Sequence, residues 1–275
     1  MYFVMKQITN SEDLKTIQMD ILSYIDVVCK KYNIKYSISG GTLIGAIRHK
    51  GFIPWDDDID IMLTRSDYDH LVNAMINEYD KGNIKYRLVT HDIDREFLYP
   101  YAKVFDEDTL LIEDIKEIKN FGVYVDVFPI DYISQSSKNK IISRMRFLYN
   151  MLTLKRLVWD KERPFLKNLT ILFSHVILFP FTCHWIIDKM DKYARKSNNK
   201  VSKEMACLVW GYGEREVLPS SIHDNHIYLP FENREYMSIR DYDIYLKNIY
   251  GDYMQLPPKE KQITHHGFVA YWKNR

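Results

Sequence analysis

The sequence predicts a mixed α/β fold of the α+β kind, a sheet flanked by helices, with a helical elaboration toward the C-terminus. Three observations carry this reading. Up to residue 133, helical periodicity alternates with short β-rich runs. From about Ser134 onward, helices with basic residues take over. The composition, 46% apolar and 27% charged, is that of a globular chain and excludes a disordered one. At 275 residues the chain is long for one domain and short for two. It divides into a core, 1–133, and a mainly helical region, 134–275, that completes the same unit.

Taken in order, Ser11 is placed to cap a first helix, with Glu12 and Asp13 in the turn where the helix dipole favours acid. Leu14, Ile17, Ile21, Tyr24, Ile25 and Val28 recur at helical spacing, and the helix should end near Lys31. Ile34–Ile38 alternates as a strand and is closed by Gly40 and Gly41, which open a short helix. An acidic strand spans Asp58–Leu63, and Thr64 caps the next helix with Asp67 three residues on. Strand-like runs occupy 84–89, 97–105, 109–112 and 121–128, the last ending at Pro129. After the helical stretch come an aromatic turn at 209–213, a strand at His226–Phe231, and a helix beyond Arg240 that Gly251 stops.

The chemistry concentrates between Ser39 and Leu63, where two glycines, a short helix, a basic cluster and the aspartates 56, 57, 58 and 60 follow one another. Side chains two apart on a strand share a face. Asp58 and Asp60 should therefore point together, Asp57 away, and Asp56 should sit just outside. Adjacent carboxylates repel, and a divalent cation removes that cost; oxygen-only ligation suits Mg2+ or Mn2+. Asp126 is the candidate third ligand. It is the one acid of an apolar strand, where a carboxylate must be ligated or paired with a core Lys or Arg. Gly40, Gly41 and Thr42, at a helix start, can approach a phosphate closely. Arg48, His49 and Lys50 either supply cations to a diphosphate or form a solvated loop. Lys103, mid-strand, is an edge gatekeeper or a phosphate partner. An EF-hand is excluded, because Ile61 and Asp67 would occupy its glycine and glutamate positions. Gly40, Gly41 and Gly45 do not make a dinucleotide fingerprint either. The stretch reads as a metal-dependent phosphate-chemistry site.

Gly40–His49 with Phe52–Ile61, which contains Pro54, Trp55 and the four aspartates, resembles the LicD family of phosphotransferases, to which fukutin-type proteins look related. Val125–Asp131 resembles its second acidic motif, and Tyr250–Pro258 another typical segment. The resemblance implies a nucleotidyltransferase-like mixed sheet flanked by helices, with 1–133 as the catalytic core. It implies transfer of a phospho-alcohol, typically phosphocholine, from a CDP-linked donor. The acceptor would be a sugar hydroxyl of a cell-surface glycan (lipopolysaccharide, capsule or teichoic acid) or of its lipid-linked precursor. Carried over residue by residue, Asp58, Asp60 and Asp126 hold Mg2+ and are catalytic, while Gly40, Gly41, Thr42, Arg48, His49 and Lys103 meet the donor. Asp56 or Asp126, and more remotely His265 or His266, are candidates for the base. The alternatives are a nucleotidyltransferase attacking the α phosphorus and a non-catalytic partner of a glycan-assembly complex.

The net charge of +1 argues against a nucleic-acid partner. Three distant cysteines and the lack of a signal-peptide core near Met1 point to a reducing, cytoplasmic setting. The uncharged run 168–187 has basic flanks and is a candidate for peripheral contact with the inner face of the cytoplasmic membrane. A buried hydrophobic hairpin, an interfacial segment and a bilayer span are all open for it, the basic flanks disfavouring a span. His223 and His226, with His265 and His266, form an alternative zinc site.

Overall fold

The computed structural model describes residues 5–82, 84–113, 121–157, 159–161, 163–210, 212–263 and 268–273. The chain begins with β1 (Lys6–Ile8), α1 (Ser11–Tyr32), β2 (Ser37–Ile38), α2 (Gly40–Arg48), β3 (Asp60–Thr64) and α3 (Arg65–Asp80). Four strands follow: β4 (Tyr86–Val89), β5 (Ala102–Asp106), β6 (Thr109–Glu113) and β7 (Tyr124–Ile133). Next come α4 (Lys138–Arg156), α5 (Phe165–Ile177) and α6 (Cys183–Ser197). The last part holds β8 (Glu204–Ala206), β9 (Leu218–Pro219), β10 (His226–Phe231), β11 (Arg234–Ile239), α7 (Tyr242–Tyr250) and β12 (Phe268–Trp272).

The main sheet runs β2-β3-β7-β5-β4, with β8 joining the far half of β7 and β9 pairing β8. Only β3 and β7 are parallel in it. β1, β12 and β6 form a three-stranded sheet, and β10 and β11 a hairpin. α1 and α3 pack on the main sheet, and α4 packs against both α5 and α6. The buried apolar side chains form one contiguous core.

Local chemistry explains most boundaries. Asn10, one residue earlier than expected, caps α1, its Oδ1 accepting from the Glu12 N–H at 3.1 Å. Thr64 caps α3 as the sequence suggests, and Gly251, at φ +72°, ends α7. Several strand expectations fail. Of 34–38 only Ser37–Ile38 is strand, 97–101 is irregular, and 134–275 carries β8–β12 beside its helices. The acidic strand starts at Asp60 rather than Asp58, and 56–59 is irregular. The strand carrying Asp126 does not stop at Pro129 but continues to Ile133. In this parallel pair the Asp126 N–H bonds back to the Ile59 carbonyl, so odd-numbered residues turn their nitrogens the other way. On that side β5 ends opposite Val127 and β8 begins opposite Asp131. Pro129 thus falls in the gap, where no ladder bond needs a donor.

Among the described residues, no helix is long and apolar enough to cross a membrane. The 168–187 run is broken into two helices, α5 and α6, by a turn containing Pro180.

Candidate active site

Strand register creates the site. Asp60 on β3 is the partner of Asp126 on β7, and Asp126 is the partner of Lys103 on β5. Side chains in one register row share a face, so three charged groups line up across three adjacent strands. Lys103 Nζ lies 2.8 Å from Asp126 Oδ1. Both residues are buried. β5 is flanked on both sides, so Lys103 is no edge gatekeeper. Its ammonium also sits 3.2 Å from the centre of the Tyr124 ring and 4.6 Å from that of Tyr99.

The face bearing this row opens into a cavity of about 390 Å3. Met62, Phe128 and Ile130 line it from the sheet; Gly40, Gly41, Trp55, Asp56, Asp58 and Asp60 line it from the motif. The remaining wall comes from the second half of the chain: Trp210, Tyr212, Glu216, Tyr245 and Tyr250.

The glycines serve the carboxylates. A Cβ added to Gly40, which has φ +53°, would lie 2.9 Å from Asp60 Oδ2, and one on Gly41 would lie 2.2 Å from Asp56 Oδ2. The Gly40 N–H donates to the Tyr245 hydroxyl at 3.3 Å, not into open space for a phosphate. Thr42 is buried, and its hydroxyl oxygen accepts from the Asp60 N–H at 2.9 Å. It fixes the aspartate's backbone, and Thr42 is not among the residues that line the cleft.

Electrostatics single out Asp60. Burial, then the charges of Asp58, Asp126 and Asp56, push its carboxyl well above the usual range, and Lys103 opposes them. Among the described residues, one set of three possible ligand atoms lies mutually within 4.8 Å: a carboxylate oxygen from each of Asp56, Asp57 and Asp58. Asp57 therefore turns toward its neighbours, contrary to the alternation expected of a strand. That alternation requires extended pairing, which begins only at Asp60.

The basic cluster is placed elsewhere. Arg48 and His49 stand at the far end of α2, roughly 12 Å along the helix from Gly40. Arg48 Nη1 donates to the Tyr253 carbonyl at 2.7 Å and the Gln255 carbonyl at 3.3 Å. Arg48 thus ties α2 to the segment after α7. Burial, then Arg48, lowers the His49 pKa, so His49 brings no cation at neutral pH. His265 and His266 lie outside the described residues; burial holds His223 down at about 4.

Glu216 and the tyrosines were not legible in the sequence. Only the aromatic turn at 209–213 and the Tyr250 segment hinted at them. Burial pushes Glu216 up to about 8. Since an unfolded glutamate titrates near 4.3, the native state binds this proton more tightly. The stabilisation is complete below the unfolded value and is lost as pH rises through about 8. Stability should fall across that window by several kcal/mol, about 1.4 per unit. Glu216→Gln mimics the protonated side chain, so its advantage over wild type in urea melts should grow between pH 5 and pH 8.5. Parallel pH profiles for the two proteins would remove Glu216 as the titrating group.

Carboxylates gathered at the end of a parallel strand pair, beside a glycine turn and a buried lysine, fit a transferase of phosphorus-containing groups, the class to which the relatives point. Residues 33–159 match the family model described as LicD/FKTN/FKRP, nucleotidyltransferase domain. Across 274 residues, 97% of this chain and 99% of the relative, the sequence is 34% identical to Lipopolysaccharide cholinephosphotransferase LicD of Haemophilus influenzae. Uncharacterised proteins of Rickettsia prowazekii and Rickettsia typhi are 58% identical over 41 and 40 residues. Those stretches cover 15% and 14% of this chain and 15% and 13% of the relatives. The chain belongs to the LicD family.

Proposed function

We propose that this enzyme moves phosphocholine from a CDP-linked donor to a sugar hydroxyl of a surface glycan or its lipid-linked precursor, with Mg2+ held by Asp58, Asp60 and Asp126. The observation that carries the reading is the cluster of Asp56, Asp58 and Asp60 on the wall of the cleft, with Asp126 and Lys103 buried beside Asp60 in the same register row. The carboxylate oxygens already within 4.8 Å of one another are those of Asp56, Asp57 and Asp58. Asp60, whose own charge is disfavoured there, and Asp126 would have to close on the ion with Asp58. Such an all-oxygen set suits a hard divalent cation. Bound at these oxygens, Mg2+ would neutralise charge on the donor diphosphate and on the departing CMP.

Lys103, buried between Asp126 and the tyrosine rings, places a positive charge beneath the carboxylate row. Asp56, held against Gly41, is the base that takes the proton of the attacking hydroxyl. Arg48, committed to backbone carbonyls, holds the wall that carries Tyr250 against α2. The aromatic wall supports choline among the alcohols. Trp55, Trp210, Tyr212 and Tyr250 line the cleft, and aromatic side chains suit a quaternary ammonium better than a polyol. The Haemophilus influenzae relative, named for cholinephosphate transfer, points the same way.

The test is CMP release from CDP-choline, CDP-ribitol, CDP-glycerol and CDP-ethanolamine, with Mg2+ and after EDTA. CDP-choline should be used at least about tenfold faster than the polyol donors, the discrimination expected of one lost cation–π contact set. EDTA should abolish the release. A polyol donor in first place rejects the choline reading. Transfer of the nucleotide in place of the alcohol phosphate, traced with donor labelled in the alcohol, replaces the reaction with nucleotidyl transfer.

A further inference from the structure

α5 wears its apolar side outward. Leu166, Leu169, Phe173, Val176 and Ile177 recur at helical spacing and are 39–76% exposed. Phe179, in the turn that follows, is 82% exposed. The inward side is the more polar one. Asn168 is buried, its amide donating to the Asp160 carbonyl at 2.7 Å, and His175 Nε2 lies 2.9 Å from the Leu154 carbonyl. A helix packed for water places these faces the other way round, and a contiguous apolar stripe of this kind marks a contact surface.

Charge and aromatic placement identify what covers it. No Asp or Glu occurs from Arg163 to Ile187, and Lys167 stands exposed on the helix; at the edges Arg163 is paired with Asp160, and Asp188 precedes Lys189. Trp159, 52% exposed, meets Phe165 at the start of the helix. Trp185, 40% exposed, stacks on Phe181 just past the turn and lies under Lys189. Indoles at both ends of an apolar stripe that carries an exposed Lys167 and no acid match the headgroup boundary of an anionic bilayer. A helix of 13 residues is roughly 20 Å long, short of a bilayer core of about 30 Å, so it lies in the membrane plane.

We infer that α5, with the Phe179 turn, is an in-plane docking helix for an anionic lipid surface. The inference is independent of which phosphorus the active site attacks. It is tested by flotation of the full chain with phosphatidylcholine vesicles, with and without phosphatidylglycerol. The wild type should float with the anionic vesicles, at least about tenfold more than with neutral ones, and high salt should release it. Leu166→Ser with Phe173→Ser should lower vesicle binding by at least about tenfold. Its urea midpoint should stay unchanged, because both side chains are exposed. Failure of the wild type to float, or equal flotation of the double variant, overturns the inference. So does a wild-type dimer in vesicle-free solution that the same two substitutions dissociate, which would make the face a self-interface.

Discussion

Asp60→Asn is expected to lower kcat/KM by on the order of 1000-fold, about 4 kcal/mol of lost transition-state stabilisation, while leaving the protein at least as stable as wild type. The two halves of this expectation have one cause. Asp60 stands beside Asp126 in the sheet register and in the field of Asp58 and Asp56. Burial and these neighbours push its carboxyl toward protonation, so ionised Asp60 costs the empty protein stability. Asparagine keeps the shape and removes the charge. Without that charge the oxygen set is a poorer ligand for a divalent cation, and the fold loses a repulsion. Activity is read as CMP release and stability as a urea midpoint. A variant with wild-type turnover would dissolve the metal account. A variant that is inactive because it has unfolded would show that Asp60 holds the structure.

Asp131→Ala should do the opposite: it should cost roughly 3–5 kcal/mol of folding stability, the range for stripping one partner from a buried ion pair. Asp131 lies five residues beyond Asp126 on the same strand, so its side chain emerges on the other face. There it is fully buried and accepts a two-pronged contact from Arg65, Nε at 2.8 Å and Nη2 at 2.7 Å. Asn198 Nδ2 donates to it as well. Arg65 begins α3, so the pair bolts that helix to the sheet. Truncation leaves the buried guanidinium with only a longer contact, 3.6 Å from Nη1 to the partly exposed Asp191. Arg65→Met combined with Asp131→Leu should recover much of the loss, because no buried charge then remains. A single variant within about 1 kcal/mol of wild type in urea melts would show that the site repacks or hydrates readily. Asp60 on β3 and Asp131 on β7 would thus separate cleanly, one by activity and one by stability.

Much of this was readable from letters. The Thr64 cap, the Gly251 stop and strand β10 follow from local propensity and capping, which act over a few residues. The concentration of aspartates announced itself by composition alone. Other features were misread wherever a local rule met a non-local partner. Strand alternation was extended to Asp57, yet pairing starts at Asp60. Thr42 looked available to a phosphate, but the Asp60 N–H already holds its hydroxyl. Arg48 looked like a phosphate fork, but the carbonyls of Tyr253 and Gln255, some two hundred residues away in the chain, hold it instead.

By itself the sequence determined the chemistry on offer: hard oxygen ligands, a glycine turn, an apolar run with basic flanks, and a chain able to form a mixed sheet. These are properties of side-chain type and short-range spacing. Only the tertiary structure decided which groups meet. Register across β3, β7 and β5 set Asp60, Asp126 and Lys103 in one row. Chain return brought Glu216 and the tyrosines to face them, and packing on α4 turned the apolar side of α5 outward. Pairing between strands and burial by distant segments depend on where the backbone goes, and no window of neighbouring residues contains that information.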